Sequence, residues 1–168
     1  MRFLSLVLIL LCLSGCGYRF AGSAGALPGG VEKLHIPLFV NQTAEPQLEY
    51  QTTSRVSEVF SRNNKISQVE KPKRAEAILI GTVSSYSSRA LSYDNQDRIG
   101  EYRSTMVIDA ELRQVGTEEI LWQGTVDWSS DYNAAVDKGV QEDYEQEAID
   151  EIVLRLAEEL LYRLLDDF

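Results

Sequence analysis

The sequence predicts an α+β two-layer sandwich, with two helices packed on one face of a mixed sheet of four or five strands. Three observations lead there. Apolar residues recur at helical spacing in two segments, Leu48 to Phe60 and Ile149 to Leu164. Several segments of strand length alternate apolar and polar residues or are continuously apolar. Their order, a strand, a helix, further strands and a last helix, gives two layers around a single core.

The first elements stand outside that core. Arg2 leads an apolar run from Phe3 to Leu13. These 11 residues are far short of the ~20 that span a bilayer as a helix. Leu13-Ser14-Gly15-Cys16 follows, with small residues at the scissile bond and a thiol just beyond it. This is the pattern of a lipoprotein signal. Residues 1–15 are read as the cleaved signal and Cys16 as the lipidated N-terminus. Two or more acyl chains anchor stably, where one anchors only marginally. Gly17, rather than Asp, follows the anchor, which favours the outer membrane under enterobacterial sorting. Residues 16–30 read as the lipidated N-terminus and a flexible linker, rich in Gly and Ser (Gly22, Ser23, Gly25, Gly29, Gly30). Tyr18 and Phe20 are its apolar exceptions. Residues 31–168 then form one α+β domain.

Within the domain, Val31 to Phe39 alternates Leu34, Ile36 and Leu38 with Lys33, His35 and Pro37, and predicts a strand. Pro37 cannot donate to a sheet, so it belongs at an edge or a bulge. Asn41 to Pro46 reads as a turn. A helix follows from Gln47 to Arg62, with Leu48, Val56, Val59 and Phe60 on one face. Ile66 to Val69 is a short strand, and strand, helix and strand in this order suit a parallel crossover. Ala77 to Ser84 is apolar on both faces, as a central strand requires. Tyr102 to Arg113 and Ile120 to Ser129 alternate as an antiparallel hairpin with one wet side. Asp143 to Leu165 closes the chain as a helix whose stripe is Ile149, Ile152, Val153, Leu156, Leu160 and Leu164.

Composition narrows the function classes. Loss of the signal leaves 153 residues, enough for one core. The formal net charge is −10, a poor match to nucleic acid, which demands a basic footprint. Of the two cysteines, Cys12 leaves with the signal and Cys16 carries the lipid, so no internal disulfide is expected. His35 is the one histidine and is read as structural. No nucleophile motif, phosphate-binding loop or Cys/His metal cluster is present in the sequence. The protein is therefore read as a non-enzyme, with no metal and no cofactor beyond the covalent lipid on Cys16.

The ordered motifs resemble a known family. Cys16-Gly17-Tyr18-Arg19-Phe20 is followed by Leu27-Pro28-Gly29-Gly30-Val31, then by Phe39-Val40-Asn41-Gln42-Thr43. Leu48-Glu49 opens the first helix after Pro46. Ala77-Ile78-Leu79-Ile80-Gly81, Leu91-Ser92 and Gly100-Glu101-Tyr102-Arg103 come next. Each motif is short; their order resembles the lipopolysaccharide-assembly lipoprotein family, LptE, over nearly the whole mature chain. The resemblance implies an outer-membrane lipoprotein that plugs and helps assemble the large β-barrel LptD. It implies a part in moving lipopolysaccharide to the outer leaflet, with lipopolysaccharide itself as a ligand.

On that reading two long connections draw interest, Tyr86 to Glu101 and Asp131 to Glu142. Connections beyond ~12–15 residues are uncommon unless functional or disordered. An acidic protein cannot recruit a polyanion by long-range attraction, so binding must be local. Arg89, Arg98 and Lys138 are the cations chosen for it, by position and charge alone. The same anchor, linker and small domain would also suit an adaptor or activator of another envelope complex, such as a cell-wall synthase.

Overall fold

The computed structural model describes residues 26–166. The signal, Cys16 and most of the linker lie outside the described residues. Leu27 and Pro28 are already buried, and Pro28–Gly30 forms a 3-10 turn. The packed chain thus begins ahead of Val31.

Six strands and two helices follow: β1 (Lys33–His35), β2 (Val40–Asn41), α1 (Leu48–Ser61), β3 (Ser67–Gln68), β4 (Ala77–Tyr93), β5 (Ile99–Gln114), β6 (Ile120–Asn133) and α2 (Lys138–Asp166). The sheet order is β3-β1-β4-β5-β6, with β2 also paired to β4. β1 runs parallel to β3 and β4, and β2 parallel to β4. The β4–β5 and β5–β6 pairs are antiparallel. This is the expected α+β sandwich with a mixed sheet. Of the expected strand Val31 to Phe39 only Lys33–His35 pairs, and the additional strand, Val40–Asn41, lies just beyond it. Pro37 falls in the break between β1 and β2, where no ladder hydrogen bond is asked of it.

The break has a packing purpose. It lets Phe39 turn inward, 2% exposed, with its ring over Gly81 of β4. A Cβ at residue 81 would lie 2.1 Å from the ring. The Phe39 N–H donates to Thr53 Oγ1 of α1 at 2.9 Å, and Thr53 Oγ1 donates to the Glu49 carbonyl at 2.6 Å. Asn41 then organises the turn into α1. Its Oδ1 accepts from the Thr43 N–H and hydroxyl, and its Nδ2 donates to the Glu45 carbonyl and to Glu49.

Both helical stripes lie where the sequence places them. Leu48, Val56, Val59 and Phe60 of α1 are buried, and so are Ile149, Ile152, Val153, Leu156, Leu160 and Leu164 of α2. They meet Leu79 and Val83 of β4, Met106, Ile108 and Leu112 of β5, and Trp122 and Val126 of β6 in one core. Trp128 of β6 is 40% exposed, although Ser130 and Tyr132, two and four residues further along the strand, are buried.

Two expectations are corrected. Tyr86 to Glu101 is not a loop: β4 continues to Tyr93 and β5 begins at Ile99, so only a tight turn connects them. Asp131 to Glu142 is not a loop either. β6 runs to Asn133 and α2 starts at Lys138, leaving four residues between. The strands run on because their pairing is unbroken from Ser85↔Val107 to Arg89↔Arg103, and from Thr105↔Ser129 to Glu101↔Asn133.

Candidate functional site

The long strands give the domain two ends. Leu27 to Lys33, the start of β4 and the β5–β6 turn lie at one. Glu76 marks this end, its N–H on the Lys33 carbonyl and its carboxylate accepting the N–H groups of Glu32 and Lys33. Those two hydrogen bonds hold the Glu76 carboxyl below its usual pKa. The β4–β5 turn lies at the other end, about 40 Å away at ~3.3 Å per residue along β6. We call this the hairpin end. The start of α2 reaches it too, because the Ala134 N–H donates to the Gly100 carbonyl at 2.9 Å.

Polar contacts fasten α2 to the sheet on the hairpin side of the core. The Tyr86 hydroxyl meets Ser104 Oγ at 3.0 Å and donates to Glu145 of α2 at 2.7 Å. Ser88 and Tyr132 share a hydrogen bond at 2.7 Å, and Tyr132 stacks on Tyr102. Ser130, itself buried, donates to Glu151 at 2.6 Å. Burial, with the neighbouring Glu145 charge, raises the Tyr86 pKa above the ordinary phenol value. Hydroxyls and carboxylates do here what Leu and Ile do in the core.

All three sequence-selected cations are found toward the hairpin end, each in a different setting. Arg89 is an exposed β4 residue opposite Arg103. Among the described residues its guanidinium has no hydrogen-bond or ion-pair partner. Arg98 closes the turn. Its Nε donates to Asp94 Oδ2 at 2.8 Å, and its N–H shares Asp94 Oδ1 with the N–H of Gln96. Those hydrogen bonds, the Arg98 side chain first, hold the Asp94 carboxyl below its usual pKa. Lys138, the first residue of α2, pairs with Glu142 at 3.3 Å. The three share one end of the fold and do not close on one another. Tyr86 and Ser88 point toward the α2 layer, so strand alternation turns Arg89 to the opposite face.

Sequence reasoning missed two features. Arg103, cross-strand from Arg89, forms a bidentate pair with Asp131 at 2.6 and 2.8 Å; its odd spacing from buried Ser104, Met106 and Ile108 places it on the outer face in the sequence, but the pairing itself was not read there. The second is apolar exposure. Leu91 and Tyr93 end β4 at 42% and 64% exposed, Val136 is fully exposed, and Val140 and Tyr144 stand open on the first turns of α2. Five apolar or aromatic side chains are therefore exposed toward the same end of the fold as the three cations, with Arg89 on the face opposite α2.

Among the described residues no group of His, Cys, Asp and Glu could hold a metal, and no helix is long and apolar enough to cross a membrane. His35 has a structural contact, with Nδ1 2.9 Å from the Val69 carbonyl. The family model LptE, described as lipopolysaccharide-assembly, matches residues 31–164. The chain belongs to this family. No curated protein sequence matches the chain. Solved structures share its fold. Lipoprotein B from Nitrosomonas europaea is 17% identical, with TM-score 0.60, covering 88% of this chain and 90% of its own. Rare lipoprotein B from Shewanella oneidensis is 13% identical, with TM-score 0.56, covering 81% and 96%. PelC from Paraburkholderia phytofirmans is 15% identical, with TM-score 0.57, covering 85% and 93%. At these identities the likeness concerns the fold alone.

Proposed function

We propose that this LptE-family protein is a non-enzymatic outer-membrane lipoprotein, anchored through acylated Cys16. In this reading it plugs the LptD β-barrel, assists its assembly and contacts lipopolysaccharide on its way to the outer leaflet. One observation carries the ligand reading. The hairpin end carries both exposed apolar side chains (Leu91, Tyr93, Val136, Val140, Tyr144) and the cations Arg89, Arg98 and Lys138, distributed over its two faces, on an otherwise acidic domain. Lipopolysaccharide joins acyl chains to phosphates, and that surface offers a counterpart to both. Arg89, with no side-chain partner among the described residues, is the one of the three most available to a phosphate.

Two features fit a plug. Barrel lumens are polar, and the outward-facing residues of β5 and β6, among them Arg103, Asp109, Glu111, Thr125 and Asp131, are polar too. The domain is about 40 Å from end to end by strand rise, comparable to the ~40–45 Å of a bilayer with its headgroups. It would then reach from an anchor in one leaflet toward the other through an enclosing barrel.

The test is isolation from detergent-solubilised outer membranes with whatever remains bound. A large β-barrel at equal stoichiometry supports the plug. A soluble periplasmic enzyme such as a cell-wall synthase, and no barrel, would overturn it in favour of an adaptor. Carbonate-resistant membrane association that survives Cys16→Ala in cells lacking the barrel would remove the lipid from the account.

A further inference from the structure

We propose that Lys71–Arg74, at the end of the domain opposite the hairpin, is a contact site for the phosphates of an anionic phospholipid surface. The inference rests on the anchoring reading for its setting, since it is the chain's own lipid that would bring this segment to a membrane.

The observation is an uneven distribution of ion pairing. Nine lysines and arginines of the described residues pair with carboxylates. Lys71, Lys73 and Arg74 do not, and their side chains have no polar partner among the described residues. On a chain of net charge −10, a carboxylate is seldom far from a cation, so three unneutralised cations within four residues stand out. Among the described residues Arg89 is the other cation in that condition, and it lies toward the far end.

The segment is held in shape. Pro72–Arg74 is a 3-10 turn, with the Arg74 N–H on the Lys71 carbonyl at 2.9 Å and the Ala75 N–H on that of Pro72 at 3.1 Å. Pro72 fixes its own φ, which removes freedom from the unbound loop. Beside it is an open hollow of about 260 Å³ lined by Gln68, Val69, Glu70, Lys71 and Arg74, with two cations to one carboxylate.

Its position matches the anchor. The loop begins and ends against β1: the Val69 N–H bonds the Leu34 carbonyl, and the Glu76 N–H that of Lys33. The same stretch of chain leads back through Leu27 to Cys16. Leu27 lies eleven positions after Cys16, a reach of at most ~36–40 Å extended. The cations thus stand where the chain enters the domain from its anchor. Juxtamembrane cations attract anionic headgroups within a Debye length, even where the net charge of the protein opposes approach.

The experiment is vesicle co-sedimentation of the mature chain carrying Cys16→Ala, so that no acyl chain contributes. Vesicles of phosphatidylcholine alone are compared with vesicles containing phosphatidylglycerol, at low and high salt. The wild-type surface binds the phosphatidylglycerol vesicles and releases them in salt. Changing Lys71, Lys73 and Arg74 to Ala lowers the partition coefficient about a hundredfold, from the contribution of each cation near an anionic surface. Changing Arg55, Arg62 and Arg155, each already paired with a carboxylate, to Ala leaves it within a few-fold. The proposal is overturned if the wild type does not bind phosphatidylglycerol vesicles at low salt, or if both triple variants bind alike. It is also overturned if the Lys71/Lys73/Arg74 variant keeps vesicle binding but loses a protein partner in co-isolation, which would make the segment a docking site for protein. Vesicles without lipopolysaccharide or barrel keep this outcome separate from the proposed function.

Discussion

Gly81→Ala reports on the joint between β1, β2 and α1. The added Cβ would sit 2.1 Å from Phe39 Cε2 and 2.4 Å from Cδ2 and Cζ. Ordinary contacts begin near 3.4 Å, so the ring must retreat by about 1 Å or more. It has little room to do so. Phe39 is 2% exposed, and its own N–H is tied to Thr53 on α1. Forcing extra volume into a well-packed core costs about 1–3 kcal/mol, and full ejection of a buried Phe about 3–5 kcal/mol. A loss of about 2–4 kcal/mol is expected, read in thermal unfolding as a fall of about 6–12 °C in Tm for a domain of this size. The partner test is the double mutant. With Phe39→Leu the ring is gone, and Gly81→Ala should cost less than half as much, a coupling that two residues in contact must show. A Tm unchanged by Gly81→Ala, or strictly additive effects in the pair, would refute this account of the break between β1 and β2.

Other consequences follow from the polar seam and the hairpin end. Tyr86→Phe removes the hydrogen bonds to Ser104 and Glu145 and should cost about 1–2 kcal/mol at neutral pH, measured by urea unfolding. It should also flatten the alkaline limb. The folded-state pKa of Tyr86 is raised above its ordinary value of 10.0, so its contribution is complete below that pH and is lost as pH rises beyond it. A steep alkaline limb retained by the Phe variant would show that Tyr86 is not its source. Arg89→Ala should weaken lipopolysaccharide binding about tenfold in a direct binding assay. Arg98→Ala should weaken it less, because Arg98 is already engaged by Asp94, and should instead speed amide exchange at residues 94–98. The reverse ranking would return the turn arginine to the binding role.

What was legible in the sequence and what was not divide along the chemistry of packing. Helix stripes such as Leu48–Val56–Val59–Phe60 and Ile149–Ile152–Leu156–Leu160 bury hydrocarbon, and hydrocarbon spacing is visible in a sequence. The outer halves of β4, β5 and β6 pack instead through Tyr86, Ser88, Ser104, Ser130 and Tyr132, against each other and against the carboxylates of α2. Hydroxyls spaced two apart carry no apolar signal, so Tyr86 to Glu101 and Asp131 to Glu142 read as loops. The absence of Gly and Pro from Thr82 to Ile99 was a usable sign of continuous strand. The site was legible as a region and not as a geometry. Arg89, Arg98 and Lys138 do come to one end, but neither the ties of Arg98 to Asp94 and Lys138 to Glu142 nor the gathering of Leu91, Tyr93 and Val136 could be read without the extended hairpin. Cys16 lies outside the described residues, and its acylation stands on the Leu13-Ser14-Gly15-Cys16 pattern and on the test by Cys16→Ala.

The most direct test of the hairpin end as the lipopolysaccharide-contacting end is site-specific photo-crosslinking in growing cells. A photoreactive residue is placed at Leu91, Tyr93 or Val140, and, for comparison, at Thr117 or Glu118 in the β5–β6 turn at the opposite end of the strands. The account predicts adducts with lipopolysaccharide from the first three positions and little or none from the last two. Equal labelling from both ends, or labelling from Thr117 and Glu118 alone, would contradict it.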